Sequence, residues 1–236
     1  MFYDNLLLRH ELKYYINYQT YETLRAIFKK VLQADEHMMR EEGYLISSIY
    51  FDDIYASAIN EKQKGSRFRK KYRIRIYEHN PEILNLECKI KRDEYIAKQT
   101  ASINREEYNA LLENDQNALI GREEQICREI YSLQRTKRLH PVLTVEYMRE
   151  AYVSIAGNVR ITFDKDVSVS TTSLDLFATD FCTSMVFPKD CYVLEVKYDD
   201  FLPVHIQNIL KSVKTEHCAI SKYVMCREKK REVLYR

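Results

Sequence analysis

Lys71, Arg73 and Arg75 stand two residues apart in the stretch KYRIRIY, with Tyr72, Ile74 and Ile76 between them. Alternate residues of a β-strand point to the same side, so the spacing predicts one cationic face and one apolar face. The alternation recurs: Arg9, Glu11 and Lys13 oppose His10, Leu12 and Tyr14, and Asn85, Glu87, Lys89 and Lys91 oppose Leu84, Leu86, Cys88 and Ile90. Lys98, Thr100 and Ser102 oppose Ala97, Gln99 and Ala101, and the series continues with Arg160, Thr162 and Asp164 and with Glu195, Lys197 and Asp199. Tyr147 and Arg149 share their face with Leu143 and Val145, which predicts a strand that crosses from an apolar zone into a polar one.

Such rows suit phosphate chemistry. Arginine offers a planar fork to phosphate oxygens. The interspersed carboxylates are hard oxygen donors for Mg2+ or Mn2+, the ions that accompany polyphosphates. Charges turned inward need partners, so an interior of this kind calls for a polyanion.

The elements that must position these rows are legible in outline. Strands are expected at LLLRHELKYYI and SSIYFDD, then in a meander of RFRKKYRIRIYE, EILNLECKIKR and EYIAKQTASI, then in a hairpin joined at Gly157-Asn158, and finally at DCYVLEVKYDD. Helical spacing predicts helices over about 18–34, through 104–136 with Asn104 and Glu107 as a capping box, over 204–213, and after a Ser221 cap. The helices need a greasy surface to pack on, and the apolar strand faces supply it. The charged faces are therefore expected to line the inside of a closed barrel, which also removes unpaired edges. The fold class expected is α+β: a closed antiparallel eight-stranded β-barrel with helices packed outside, as a single domain over 1–236.

Composition narrows the function. The 37 basic and 35 acidic residues leave a formal charge of only +2, which disfavours a nucleic-acid binder. Six cysteines without a C-x-x-C pair fit reduced thiols in the core of a cytoplasmic protein. No window predicts a membrane span. Four glycines and four prolines leave no linker that would divide the chain.

Eight short motifs occur in a telling order: RHELKY at 9–14, SIYFD at 48–52, YRIR at 72–75, LECK at 86–89, VEYMR at 145–149, RITFD at 160–164, LEVK at 194–197 and SKY at 221–223. The series resembles the polyphosphate polymerase domain of the vacuolar transporter chaperone (VTC) family, within the triphosphate tunnel metalloenzyme (CYTH-like) superfamily. The resemblance implies a tunnel barrel that transfers the ATP γ-phosphoryl group to a growing inorganic polyphosphate chain and releases ADP. It implies phosphate contacts from Lys13, Arg73, Arg75, Lys89, Lys98, Arg149, Arg160 and Lys222, with Tyr147, Lys197 and Ser221 beside them. Glu195 would be the divalent-metal ligand, with Glu11 and Glu87 the next candidates. Arg73, Arg75, Lys13 and Lys89 would clamp the transferred group.

Two positions depart from the related pattern. Arg9 stands where tunnel hydrolases often carry the first acid of E-x-E-x-K, which thins the carboxylate set and favours polymerase over hydrolase. Ala219 replaces a lysine that relatives can carry. The eukaryotic members' sensor and membrane helices are not seen, so a stand-alone, bacterial-type domain is expected. The rivals are a tunnel triphosphatase acting on inorganic or nucleoside triphosphate, and a polyphosphate-binding module without turnover.

Overall fold

The computed structural model describes residues 2–3, 6–178, 181–213 and 215–234 of the 236-residue chain. Eight strands close into an antiparallel barrel: β1 (Arg9–Asn17), β2 (Tyr44–Asp52), β3 (Phe68–Tyr77), β4 (Leu84–Arg92), β5 (Tyr95–Ile103), β6 (His140–Ser154), β7 (Val159–Ser170) and β8 (Cys191–Tyr198). Around the wall the order is β1, β5, β4, β3, β2, β6, β7, β8 and back to β1. Six helices are described: α1 (Tyr18–Val31), α2 (Ser57–Gln63), α3 (Arg105–Leu112), α4 (Gln125–Lys137), α5 (Val204–Lys211) and α6 (Lys222–Leu234).

The expected division of faces holds. Leu84, Leu86, Cys88 and Ile90 of β4 pack with Ile74 and Ile76 of β3 under α3 and α4, in a cluster that includes Tyr108 and Ile130. Ile161, Phe163, Leu194 and Val196 meet Leu24 and Phe28 of α1 and Ile206 of α5 on the other side. Asn17 caps α1 by accepting from the Thr20 amide at 2.9 Å, and the Asn104–Glu107 capping box is complete.

Three expectations are corrected. The helical pattern over 104–136 is two helices separated by a turn region that includes Gly121, whose φ of +77° no continuing helix accommodates. The cysteines are free but not all core residues, since Cys182 is exposed and Cys191 and Cys218 are half-buried. The barrel interior is only partly charged. Leu143, Val145, Val169 and Val193 fill one zone together with Ile220, Tyr223 and Cys226 at the start of α6. β6 makes the crossing its pattern predicts, with Leu143 and Val145 in that apolar zone and Arg149 in the charged one.

Closure is uneven. β1 pairs with β8 over eight residues but with β5 only at Arg9↔Ile96 and His10↔Tyr95. Beyond that seam the inward-facing Lys98, Thr100 and Ser102 of β5 are exposed. Among the described residues no helix is long and apolar enough to cross a membrane.

Gly43, just before β2, has φ +98°, and a Cβ there would overlap the carbonyl oxygen of Arg149. Gly43→Ala is therefore expected to lower stability by about 2 kcal/mol or more through backbone strain and displacement of β6, read from the urea unfolding midpoint.

Candidate active site

Register sets the site. On the inward face β3 and β4 oppose Arg69 to Lys91, Lys71 to Lys89, Arg73 to Glu87 and Arg75 to Asn85. Across the barrel β8 places Glu195 opposite Lys13 and Lys197 opposite Glu11. All of these side chains except Glu87 and Asn85, together with Tyr50, Lys98, Tyr147, Arg149, Ser221 and Lys222, line a cavity of about 240 Å³.

Three buried acidic centres hold the cations. Glu87 accepts from Arg73 Nε at 2.7 Å and from Lys98 Nζ at 2.8 Å, with Arg75 Nε 3.9 Å away. Arg73 also donates to the Tyr50 hydroxyl, and Arg75 to Tyr147 at 3.0 Å and Ser48 at 3.3 Å. The second centre is a carboxylate pair: Lys13 bridges Glu11 at 3.3 Å and Glu195 at 3.1 Å, Lys197 lies 2.6 Å from Glu195, and Lys89 pairs with Glu11. In the third, Asp164 accepts both prongs of the Arg149 guanidinium, at 2.6 and 2.8 Å, and pairs with Lys222.

Burial opposes ionisation at each centre, and local cations overcome it. Burial and Glu195 push the Glu11 carboxyl up, but Lys13, Lys89 and Lys197 outweigh them and hold it at about 2. Burial likewise raises Glu195 and Glu87, yet surrounding Lys and Arg side chains leave both below the usual carboxylate range. On the cation side, burial pushes Lys89 and Lys197 down. For Lys13 burial is outweighed by Glu11 and Glu195, which raise it. The carboxylates of all three centres thus stay ionised at neutral pH.

The structure gathers most of the side chains that the sequence singles out. Lys13, Arg73, Arg75, Lys89, Lys98, Tyr147, Arg149, Glu195, Lys197, Ser221, Lys222 and Glu11 line the one cavity. Arg160 stands apart: it shares a face with Lys197, its register partner, but reaches Asp35 at 3.1 Å and the Tyr44 hydroxyl at 2.9 Å. Glu87 joins Arg73 and Lys98, away from the Glu11–Glu195 pair. Among the described residues no group of three or more His, Cys, Asp or Glu side chains is placed to hold a metal ion. Glu11 and Glu195 alone fit a divalent cation in part, as two ionised oxygen donors whose remaining positions phosphate oxygens and water would fill, the mode Mg2+ favours.

Sequence reasoning left four lining cations without a role: Lys62, Arg69, Lys71 and Lys91. Lys71 and Lys91 already belong to the alternating rows of β3 and β4 and Arg69 continues that of β3, whereas Lys62 lies on α2, where nothing in the local pattern marks it. Asp164 is visible in its strand pattern, but its pairing with Arg149 and Lys222 is not.

A closed antiparallel barrel with helices outside and inward cations pinned by a few ionised carboxylates matches the triphosphate tunnel fold. The chain belongs to the VTC domain family, whose pattern it matches over residues 8–230. Its fold is similar to that of a putative adenylate cyclase from Bacillus halodurans, at 14% identity and TM-score 0.53 over 89% of this chain and 95% of that one. PH1819 from Pyrococcus horikoshii OT3 aligns at 16% identity and TM-score 0.47, covering 94% of this chain and 98% of that chain. A Mimivirus capping enzyme triphosphatase aligns at 11% identity and TM-score 0.36, covering 87% and 90%. No curated protein matches significantly.

Asp164 carries the clearest pH signature. Burial raises its carboxyl, but Arg149 and Lys222 hold it at about 2 against an ordinary 3.8. A depressed folded-state value stabilises fully above the unfolded value, and that contribution is lost as the pH falls through about 4 toward 2. Asp164→Asn is expected to cost about 3–5 kcal/mol at neutral pH by leaving two buried cations uncompensated. It should also flatten the acid limb of a plot of thermal midpoint against pH.

Proposed function

We propose that this barrel is a metal-assisted phosphotransferase that moves the γ-phosphoryl group of ATP onto the end of an inorganic polyphosphate chain and releases ADP. The observation that carries the reading is the convergence of Arg73, Arg75, Lys13, Lys89, Arg149, Lys197 and Lys222 on one cavity, each already tied to an ionised carboxylate or a tyrosine hydroxyl. Membership in the VTC family supports the same substrate class.

Phosphoryl transfer asks a protein for positioning and charge stabilisation more than for covalent chemistry. Arg73 and Arg75 are held side by side on β3, and a guanidinium has five N–H donors, so each keeps donors for phosphate oxygens after satisfying Glu87, Tyr50 or Tyr147. Lys13 and Lys89 face them from β1 and β4 and complete a clamp on the transferred group. Arg149, Lys197 and Lys222, with Lys98 at the open seam, hold the remaining phosphates. Ser221 accepts from the Val224 amide at 3.4 Å and so begins α6 at the cavity. Tyr147 orients Arg75 from below, and Arg160 would join only by leaving Asp35. Glu195 and Glu11 would hold Mg2+ or Mn2+, which when bound offsets charge on the phosphate oxygens. Glu87 is committed to Arg73 and Lys98 and has the different task of keeping the clamp ionised and in place. The attacking oxygen of a polyphosphate terminus is already ionised, so the step needs no strong general base.

Incubation of the purified chain with ATP and Mn2+ or Mg2+, with and without a short polyphosphate primer, tests the reading on a gel stained for polyphosphate. A ladder with ADP is expected. Free phosphate without a ladder would make the protein a triphosphatase, and binding without turnover would make it a polyphosphate-binding module. Arg75→Ala is expected to cost about 10² to 10³ in turnover, the scale for losing one preorganised transition-state contact, and near-normal rates would remove Arg75 from the clamp.

A further inference from the structure

The inward cations fall into two groups by how they are neutralised. Deep in the barrel each Arg or Lys is paired: Arg73 with Glu87, Lys13 and Lys197 with Glu195, Arg149 and Lys222 with Asp164. Toward the mouth formed by α2, the start of β3 and the end of β4, pairing stops. Among the described residues Lys62, Arg69, Lys71 and Lys91 line the same cavity and none of them is ion-paired with a carboxylate. Arg69 donates to the Ser66 carbonyl, and Lys71 donates to Ser221 Oγ at 2.7 Å and lies 5.3 Å from the Tyr223 ring. Glu61 attracts Arg69, and Glu11 and, less strongly, Glu94 attract Lys91, without pairing with them.

Concentrating like charges at a half-buried rim destabilises the free protein, and burial with the neighbouring cations disfavours the charged form of its lysines. Burial and the neighbouring Lys13, Arg69 and Lys62 push Lys71 down to about 7, with Glu11 opposing weakly. Burial and nearby cations lower Lys62, and burial with Arg69 and Lys13 lowers Lys91 against the opposing pull of Glu11. A fold keeps such a cost where something else supplies the missing negative charge. The register gives that ligand a direction. Arg69↔Lys91, Lys71↔Lys89 and Arg73↔Glu87 are successive inward rungs, roughly 7 Å apart along the strands. They lead from unpaired cations at the rim to paired ones inside.

Resting on the reading above, we propose that Lys62, Arg69, Lys71 and Lys91 form a second anion subsite, which holds the body of a linear polyphosphate chain as it passes between the solvent and the inner triphosphate-sized site. The inner clusters hold the reacting phosphates, and the rim gathers the charge of the chain behind them. Chain length is thereby recognised: a polyanion long enough to reach the rim neutralises four more cations than a triphosphate does.

The test compares sodium tripolyphosphate with linear polyphosphate of several tens of units, by calorimetric titration at fixed salt. Wild-type protein is expected to bind the long chain more tightly. The triple variant Lys62→Ala, Arg69→Ala, Lys91→Ala should lose about 30-fold for the long chain, roughly threefold per cation, and less than threefold for tripolyphosphate. Arg75→Ala, by contrast, should weaken both ligands. Titration of the long chain in two buffers of different ionisation heat should show proton uptake near pH 8 that Lys71→Met reduces, because an arriving anion raises the Lys71 ammonium from about 7. Its cross-strand partner Lys89, with Lys13, Glu11, Lys62, Arg69, Ser221 and Tyr223, faces Lys71 in both proteins, so the difference belongs to Lys71. Equal wild-type affinity for the two ligands, or equal loss of both in the triple variant, overturns this subsite and leaves the inner-site reading standing. Failure of wild-type protein to bind either ligand overturns both.

Discussion

Glu87 is 1% exposed, and its carboxylate carries Arg73 and Lys98 with Arg75 close by. The barrel depends on this arrangement and its two counterparts, at Glu11–Glu195 and at Asp164. Several buried cations without internal anions would repel one another in a poorly screened interior, and the strands bearing them could not close. Fully matched charges, on the other hand, would leave nothing for a ligand. The observed balance lies between. Each deep cation has at least one acidic or phenolic partner, while guanidinium and ammonium groups retain further donors.

The apolar half of the interior serves the charged half. Leu143, Val145, Val169 and Val193, with Ile220, Tyr223 and Cys226, give α6 a dry seat. Tyr223 locks it by donating to Asp52, which also accepts from the Ala58 amide of α2. Ser221 and Lys222 are thereby held at the cavity, where Lys222 lies 4.8 Å from the Tyr147 ring and pairs with Asp164. Low polarity beside the clamp also strengthens each electrostatic contact there. The thin β1–β5 seam has the opposite effect, leaving the Lys98 side chain 52% exposed against 25% or less for Lys13, Arg73, Arg75 and Lys89.

Much of this was legible before any coordinates. Period-two alternation is a local property, and it identified Arg73, Arg75, Lys89, Glu195 and Lys197 as one chemical surface because a strand repeats its orientation every second residue. The capping box at Asn104 is likewise local, since a side-chain oxygen satisfies an amide three residues on. The continuous helix over 104–136 failed where the local pattern did not register a chain reversal. Arg160 shows the other limit: its strand position is right, but Asp35, from the loop after α1, takes its guanidinium.

Sequence alone established the strand faces, the Asn104 capping box, the scarcity of acids among the inward cations and the ordered family motifs, because each is read from residue types along the chain without knowing which segments meet. Which cation meets which carboxylate belongs to the closed barrel. Glu195 meets Lys13 from 182 positions away only through the β1–β8 register, and Asp164 meets Lys222 only because α6 enters the interior. The unpaired charge at the rim is equally a tertiary fact, since an ion pair needs a few ångströms of proximity and chain order does not supply it.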